Sequence, residues 1–441
     1  MDTPICDFVR AYIDARTGRL HMPGHKGHGP LGIEALDITE IRGADSLYEA
    51  EGIIAQSEEN ASSLFGCPTL YATEGSSQCI RAMVYLLCQA AKAQGKRPRI
   101  AAGRNAHKAF LTAAALLGVE VSWLYPEKQA SYLSCPLTAE ELEDYLEKEA
   151  PTALYLTSPD YLGALSDIAP LAEVCHRHGV LLAVDNAHGA YLKFLHSSRH
   201  PMDLGADICC DSAHKTLPVL TGGAYLHLSE RFSIAQGKNA LMLFGSTSPS
   251  YLILQSLDAA NAYLETYPQR LRQLLPGIRQ LKKNLRDHGF SLYGSEELKL
   301  TLDTKAYGYR GTEFADLLRK ANLEPEFADP DYVVLMLSAE MDPQLLQYLE
   351  ETLCRIPRRA PVLETPPRFS PGEKVLSIRE AALAPWELLP AEQCLGRILA
   401  VPAVGCPPAV PILVCGERID ENAVRAFTYY GIPTCPVVKE V

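Results

Sequence analysis

The chain has 441 residues, 47% of them hydrophobic and 21% charged, with a net charge of −12 at pH 7. That balance belongs to an ordinary folded protein with room for two or three domains, and it excludes an intrinsically disordered chain. The acidic surplus argues against nucleic acid and anionic membrane surfaces as partners and fits a small-molecule enzyme. Thirteen cysteines occur without a C-x-x-C pair, and the N-terminus "MDTPICDFVRAYIDAR" has no apolar leader. Reduced thiols in the cytoplasm are therefore expected rather than a disulfide framework. No metal-ligand spacing appears, and the apolar stretch "AVPAVGCPPAVPILVCG" carries four prolines, which rules it out as a membrane helix.

In chain order, residues 1–50 read as an arm. A large domain over 51–260 then alternates strand candidates with amphipathic segments. The strands expected are "TLYAT", "RIAAG", "VEVSWLY", "ALYLTSP", "VLLAVDNAH", "ADICCDS" and "GGAYLHL". Between several of them lie helix candidates, "SSQCIRAMVYLLCQAAKAQG", "NAHKAFLTAAALLG", "TAEELEDYLEKEA" and "PLAEVCHRHG". The third opens on a capping box, Thr138 with Glu141, and the second and fourth close on glycine. This alternation predicts an α/β domain on a mostly parallel sheet. A smaller α+β domain follows over 261–357. A Pro-rich linker and a segment of short mixed elements fill 358–441.

In such sheets ligands gather beyond the carboxyl ends of the strands, and four polar clusters fall there. Gly75, Ser76 and Ser77 open a helix in "ATEGSSQC", where backbone N–H groups and hydroxyls suit a phosphate, or simply cap the helix. Asn105 and His107 follow "RIAAG". Asp185 ends an apolar strand in "AVDNAHGAY", with His188 three residues later; a buried carboxylate needs a cationic or hydrogen-bonding partner, or forms a structural ion pair. Ser212, His214 and Lys215 follow "ADICC", thirty residues beyond Asp185 in the case of the lysine. Each cluster alone has a plain structural explanation. A phosphate cradle, a buried carboxylate and an imine-capable lysine together describe a pyridoxal 5'-phosphate site. In it Asp185 would hold the pyridine nitrogen, Gly75, Ser76, Ser77 and Ser212 the phosphate, and Lys215 the aldehyde carbon through a Schiff base, with His107 stacked on the ring.

Five ordered motifs, "HMPGHKG", "RNAHKA", "VDNAHGAY", "DSAHKTLPVLTGGAYLH" and "STSPSYLILQSLD", resemble the signatures of the ornithine/lysine/arginine decarboxylases of the fold-type-I pyridoxal phosphate superfamily. The C-terminal "SIREAALAPWELLP", "GRILAVPAVGCPP" and "PILVCGERI" are similar to that family's C-terminal domain. The resemblance spans nearly the whole chain, as a short form without the N-terminal wing domain of larger members. It implies decarboxylation of arginine, lysine or ornithine to an amine of polyamine biosynthesis, with Lys215 or His214 returning a proton to the substrate. It also implies a homodimer with active sites at the interface, Thr247 or Ser248 reaching the partner's phosphate, and His25 with Lys26 at the entrance. His188 and His214 join the cofactor-binding set. Three positions depart from the family pattern: Asn186 replaces glutamate, Glu74 asparagine and Asp160 threonine. An aminotransferase or lyase sharing the cofactor residues, and a non-catalytic cofactor-binding homologue, are the competing readings. Glu417 in "CGERI" is a candidate for a substrate contact.

Overall fold

The seven apolar runs are strands: β1 (Thr69–Ala72), β2 (Arg99–Gly103), β3 (Glu120–Leu124), β4 (Ala153–Thr157), β5 (Leu181–Asp185), β6 (Ile208–Asp211) and β7 (Ala224–Leu228). They form one sheet in the order β1-β7-β6-β5-β4-β2-β3. These coordinates are a computed structural model that describes residues 1–126, 131–401 and 408–439. Every residue of β1, β5, β6 and β7 is buried, which is why these runs lack the polar alternation of a half-exposed strand.

Helices α1 (Pro4–Asp14), α2 (Ile53–Phe65), α3 (Ser76–Ala93), α4 (Lys108–Leu117), α5 (Ala139–Leu146) and α6 (Ile168–Arg177) lie in the first half of the chain. The predicted capping box forms: Thr138 Oγ1 accepts the Glu141 N–H, and Glu141 accepts the Thr138 N–H in return. Gly118 ends α4 at φ 67°, where only glycine sits without strain. Further on come α7 (Ala213–Thr216), α8 (Ile234–Met242), α9 (Tyr251–Leu264) and α10 (Tyr267–His288).

The chain divides into two compact units. The first comprises Met1–Arg97, Thr152–Leu154 and Ile168–Arg272. Within it α1 packs on α2 and α9 through Ile5, Val9, Ile54, Leu254 and Leu257, all fully buried. Buried Asp258 joins the three helices, accepting the Cys6 N–H at 2.9 Å and the Ser57 hydroxyl at 2.6 Å. The second comprises Pro98–Pro151, Tyr155–Asp167 and Gln273–Val441. It contains the strands β8 (Ser291–Tyr293), β9 (Lys299–Asp303), β10 (Phe327–Ala328) and β11 (Tyr332–Met336), antiparallel in the order β10-β11-β9-β8. A two-stranded sheet of β12 (Trp386–Pro390) and β13 (Thr434–Val438) accompanies them. Residues 402–407 of the motif "GRILAVPAVGCPP" lie outside the described residues. Among the described residues, no helix is long and apolar enough to cross a membrane.

Candidate active site

Strand direction decides what meets at the edge of the first unit. β5 and β6 run parallel, with Asp185 opposite Cys210. β7 is antiparallel to both β6 and β1. Strands β1, β5 and β6 therefore leave the sheet on the same side, where the start of β7 also lies. Gly75, Asp185 and Lys215 thus fall at one edge although far apart in sequence.

Lys215 sits in α7, a helix of four residues. Its Nζ lies 3.0 Å from Nε2 of His188, which links the segment after β6 to the segment after β5. Asp185, only 2% exposed, accepts the Ala187 N–H at 3.2 Å and the Cys210 thiol at 3.7 Å. Burial, reinforced by the charge of Asp185, pushes the Cys210 thiol well up, so it stays protonated and can donate to the carboxylate. His214 lies 3.0 Å through Nδ1 from the Gly223 carbonyl, which only accepts, so Nδ1 carries the hydrogen. Burial lowers the His214 pKa and Lys215 adds to that, so its Nε2 is a proton acceptor at neutral pH.

The N-terminus of α3 is open. Gly75 is its cap residue, at φ 71°, makes no side-chain cap, and has empty space where a Cβ would stand. Ser76 Oγ accepts from Ser212 Oγ at 2.7 Å, joining the start of α3 to the exit of β6. The Gly75 N–H donates to the Gly222 carbonyl at 2.7 Å. Gly222 is at φ 102°, and a Cβ there would meet the Thr73 carbonyl at 2.8 Å, so the turn before β7 closes on the cradle only as glycine. Glu74 accepts the Ser246 N–H at 2.6 Å, fixing the loop that carries exposed Thr247 and Ser248.

Beneath this edge lies a cluster that the sequence reading missed. Asp211, fully buried, receives Asn186 Nδ2 on one oxygen at 2.6 Å. On the other it meets Nε2 of His200 at 3.1 Å and of His227 at 3.0 Å. A polar residue inside the apolar strand "AYLHL" and an acid ending "ADICC" were the available signals. His200, Cys209 and Asp211 bring possible metal-ligand atoms within 4.8 Å of one another, but the direct His–Asp contacts already account for the nitrogen and oxygen. Burial raises the Asp211 pKa, but the two histidines outweigh it and hold the carboxyl far below its usual range. Burial lowers the His227 pKa against the opposing pull of Asp211. Both groups bind fewer protons folded than unfolded, so both favour the folded state more as pH rises. The His227 contribution is complete above its ordinary value of 6.5 and is lost as pH falls below it; the Asp211 contribution is lost only below 3.8. The expected result is a melting temperature that falls as pH drops from about 7.5 to about 5.5, read by differential scanning fluorimetry in low-salt buffer.

The remaining candidates have local partners. His107, in the second unit, caps α4 by accepting the Ala109 N–H on Nδ1 at 3.1 Å. Asp160, at the exit of β4 in that unit, is pushed up to about 6 by burial against the opposing Ser134, Ala164 and Lys299. Glu417 is buried and holds its own turn, accepting the Val414 N–H at 2.8 Å. In the first unit His25 pairs with Asp37 at 3.1 Å, and Lys26 donates to the His21 carbonyl.

Comparison with known proteins accords with this architecture. Francisella novicida lysine decarboxylase LdcF superposes with a TM-score of 0.79 at 17% identity, covering 99% of this chain and 81% of that one. The constitutive lysine decarboxylase of E. coli superposes at 0.76, over 99% and 82%. These likenesses show the fold, the fold-type-I arrangement expected from the sequence. An arginine decarboxylase of Bacillus subtilis (strain 168) is 30% identical over 96% of this chain and 92% of its own length. One from Halalkalibacterium halodurans is 29% identical over 98% and 94%. The family model for the major domain of Orn/Lys/Arg decarboxylases matches residues 3–301, and with that match the chain belongs to the Orn/Lys/Arg decarboxylase family.

Proposed function

We propose that the protein removes the α-carboxylate of a basic L-amino acid (arginine, lysine or ornithine) with pyridoxal 5'-phosphate attached at Lys215. The observation that carries this reading is the approach of Lys215 to His188, 3.0 Å, at the edge where Asp185 ends β5. The residues present fit the cofactor. The uncapped start of α3, with open space over Gly75, suits a dianionic phosphate. A buried carboxylate at Asp185 suits a protonated ring nitrogen. When bound, the cofactor supplies an aldehyde for the lysine amine and a conjugated ring that accepts the electrons released with carbon dioxide.

The chain's own groups divide the remaining work. Asp185 would keep a positive charge at the ring nitrogen, His188 would orient the Lys215 amine, and Ser76, Ser77 and Ser212 would hold the phosphate. Lys215 is the group that would return a proton to Cα after loss of the carboxylate; His214 would act as an acceptor, set by its bond to Gly223. A homodimer completes the site, with exposed Thr247 offered to a second copy beside Met242 and Leu243, which are 41% and 52% exposed.

Arginine is the substrate to test first, because the relatives 29–30% identical over 96–98% of the chain are arginine decarboxylases. The test is release of carbon dioxide and amine from arginine, lysine and ornithine by the cofactor-loaded protein, with keto-acid formation followed in parallel. Amine from one of the three is expected. Keto acid without carbon dioxide would instead identify an aminotransferase, and neither product would leave a non-catalytic homologue.

A further inference from the structure

Asp211 is fully buried, and its bonds reach residues that flank the strand ends at the open edge. The carboxylate accepts from Asn186, His200 and His227, and all four side chains are buried. Asn186 directly follows Asp185. Its backbone N–H donates to the Cys210 carbonyl at 3.0 Å, and its side chain donates to Asp211 at 2.6 Å. The segment after β5 is therefore stitched to the end of β6 by main chain and side chain alike.

The side chain of Asn186 is held on two sides. A Cβ on Gly189 would stand 1.9 Å from Asn186 Oδ1, so residue 189 must lack one for the amide to lie where it does. Among the described residues that Oδ1 is buried without a hydrogen-bond partner, a costly state for an amide oxygen. Turning the amide over would face this oxygen to the Asp211 carboxylate, which is worse, so Asp211 dictates the orientation. The histidines fix Asp211 in turn. His227 is itself anchored through Nδ1, 3.0 Å from Thr69 Oγ1, and His200 accepts the Met202 N–H at 3.4 Å.

We infer that Asp211 is a positioning residue: through Asn186 it sets where Asp185 and His188 stand relative to Lys215. This rests on the reading of Asp185 and Lys215 as the cofactor site. A carboxylate that only held the core together would affect stability and nothing else. A positioning carboxylate also affects how the bound cofactor titrates and how fast the enzyme turns over.

Asn186→Ala separates the two roles, because it cuts the link and leaves both histidine contacts of Asp211 in place. In the pyridoxal phosphate-loaded enzyme, Asn186→Ala is expected to lower kcat by about 10- to 100-fold, as small misplacements of reacting groups do. KM should change far less. The pH midpoint of the visible absorbance of the lysine-bound cofactor should shift, and cofactor affinity should fall. Asp211→Asn should reproduce these changes and lower the melting temperature as well. Wild-type kcat and absorbance midpoint in Asn186→Ala would overturn the inference, even if Asp211→Asn proves too unstable to purify. A wild-type protein that develops no visible band with pyridoxal phosphate would instead remove the site reading, and the inference with it.

Discussion

Lys215→Ala is expected to lower amine formation by at least about 10³-fold, the scale on which covalent catalysis depends on its nucleophile. The visible band that wild-type protein develops with pyridoxal phosphate should be absent. Folding should survive, because α7 is held by groups other than the lysine side chain. The Leu217 N–H donates to the Ala213 carbonyl, His214 bonds Gly223, and the Tyr267 hydroxyl donates to the Thr216 carbonyl at 3.2 Å. An unchanged melting temperature of the apoprotein would separate lost chemistry from lost structure. Turnover within tenfold of wild type would end the proposal that this amine carries the cofactor.

Asp185→Asn should cost about 10²- to 10³-fold in kcat, the usual loss when one preorganised electrostatic group is removed from a dry site. The substitution keeps an oxygen for the Ala187 N–H and nearly the same volume, so the change is one of charge. Without the carboxylate a protonated ring nitrogen loses its counter-ion, and cofactor affinity should fall together with kcat. Asp185→Glu should not restore activity, since a position only 2% exposed has no room for an extra methylene. Steady-state kinetics at saturating cofactor, with the absorbance spectrum of each variant, decide the matter. Full activity in Asp185→Asn would assign the carboxylate a purely structural role.

Much of this was legible in the sequence. All seven strands of the large sheet follow from apolar runs bounded by polar or glycine residues, and β1, β5, β6 and β7, buried on both faces, need no alternation. Asp185 and Lys215 stood out because each closes or follows such a run. Asp211 closes one too, yet only Ser212, His214 and Lys215 after it stood out as a cluster. Its role depends on His200 and His227, which reach it from a separate loop and from a neighbouring antiparallel strand. No local pattern encodes such a long-range meeting. Glu74 and Asn186 read as departures from a family pattern; their contacts with Ser246 and Asp211 depend on how distant segments pack. His107 was visible as a residue after a strand, but its capping of α4 emerges only from the backbone geometry.

The brevity of α7 bears on the end of a catalytic cycle. Its single turn is hydrogen-bonded at both ends, so the amine of Lys215 stands on a four-carbon stem above a held base. If Lys215 carries the cofactor as proposed, its freed amine would stay within reach at a local concentration no free amine could match. Release of product would then be an internal exchange, with little part left for stray water.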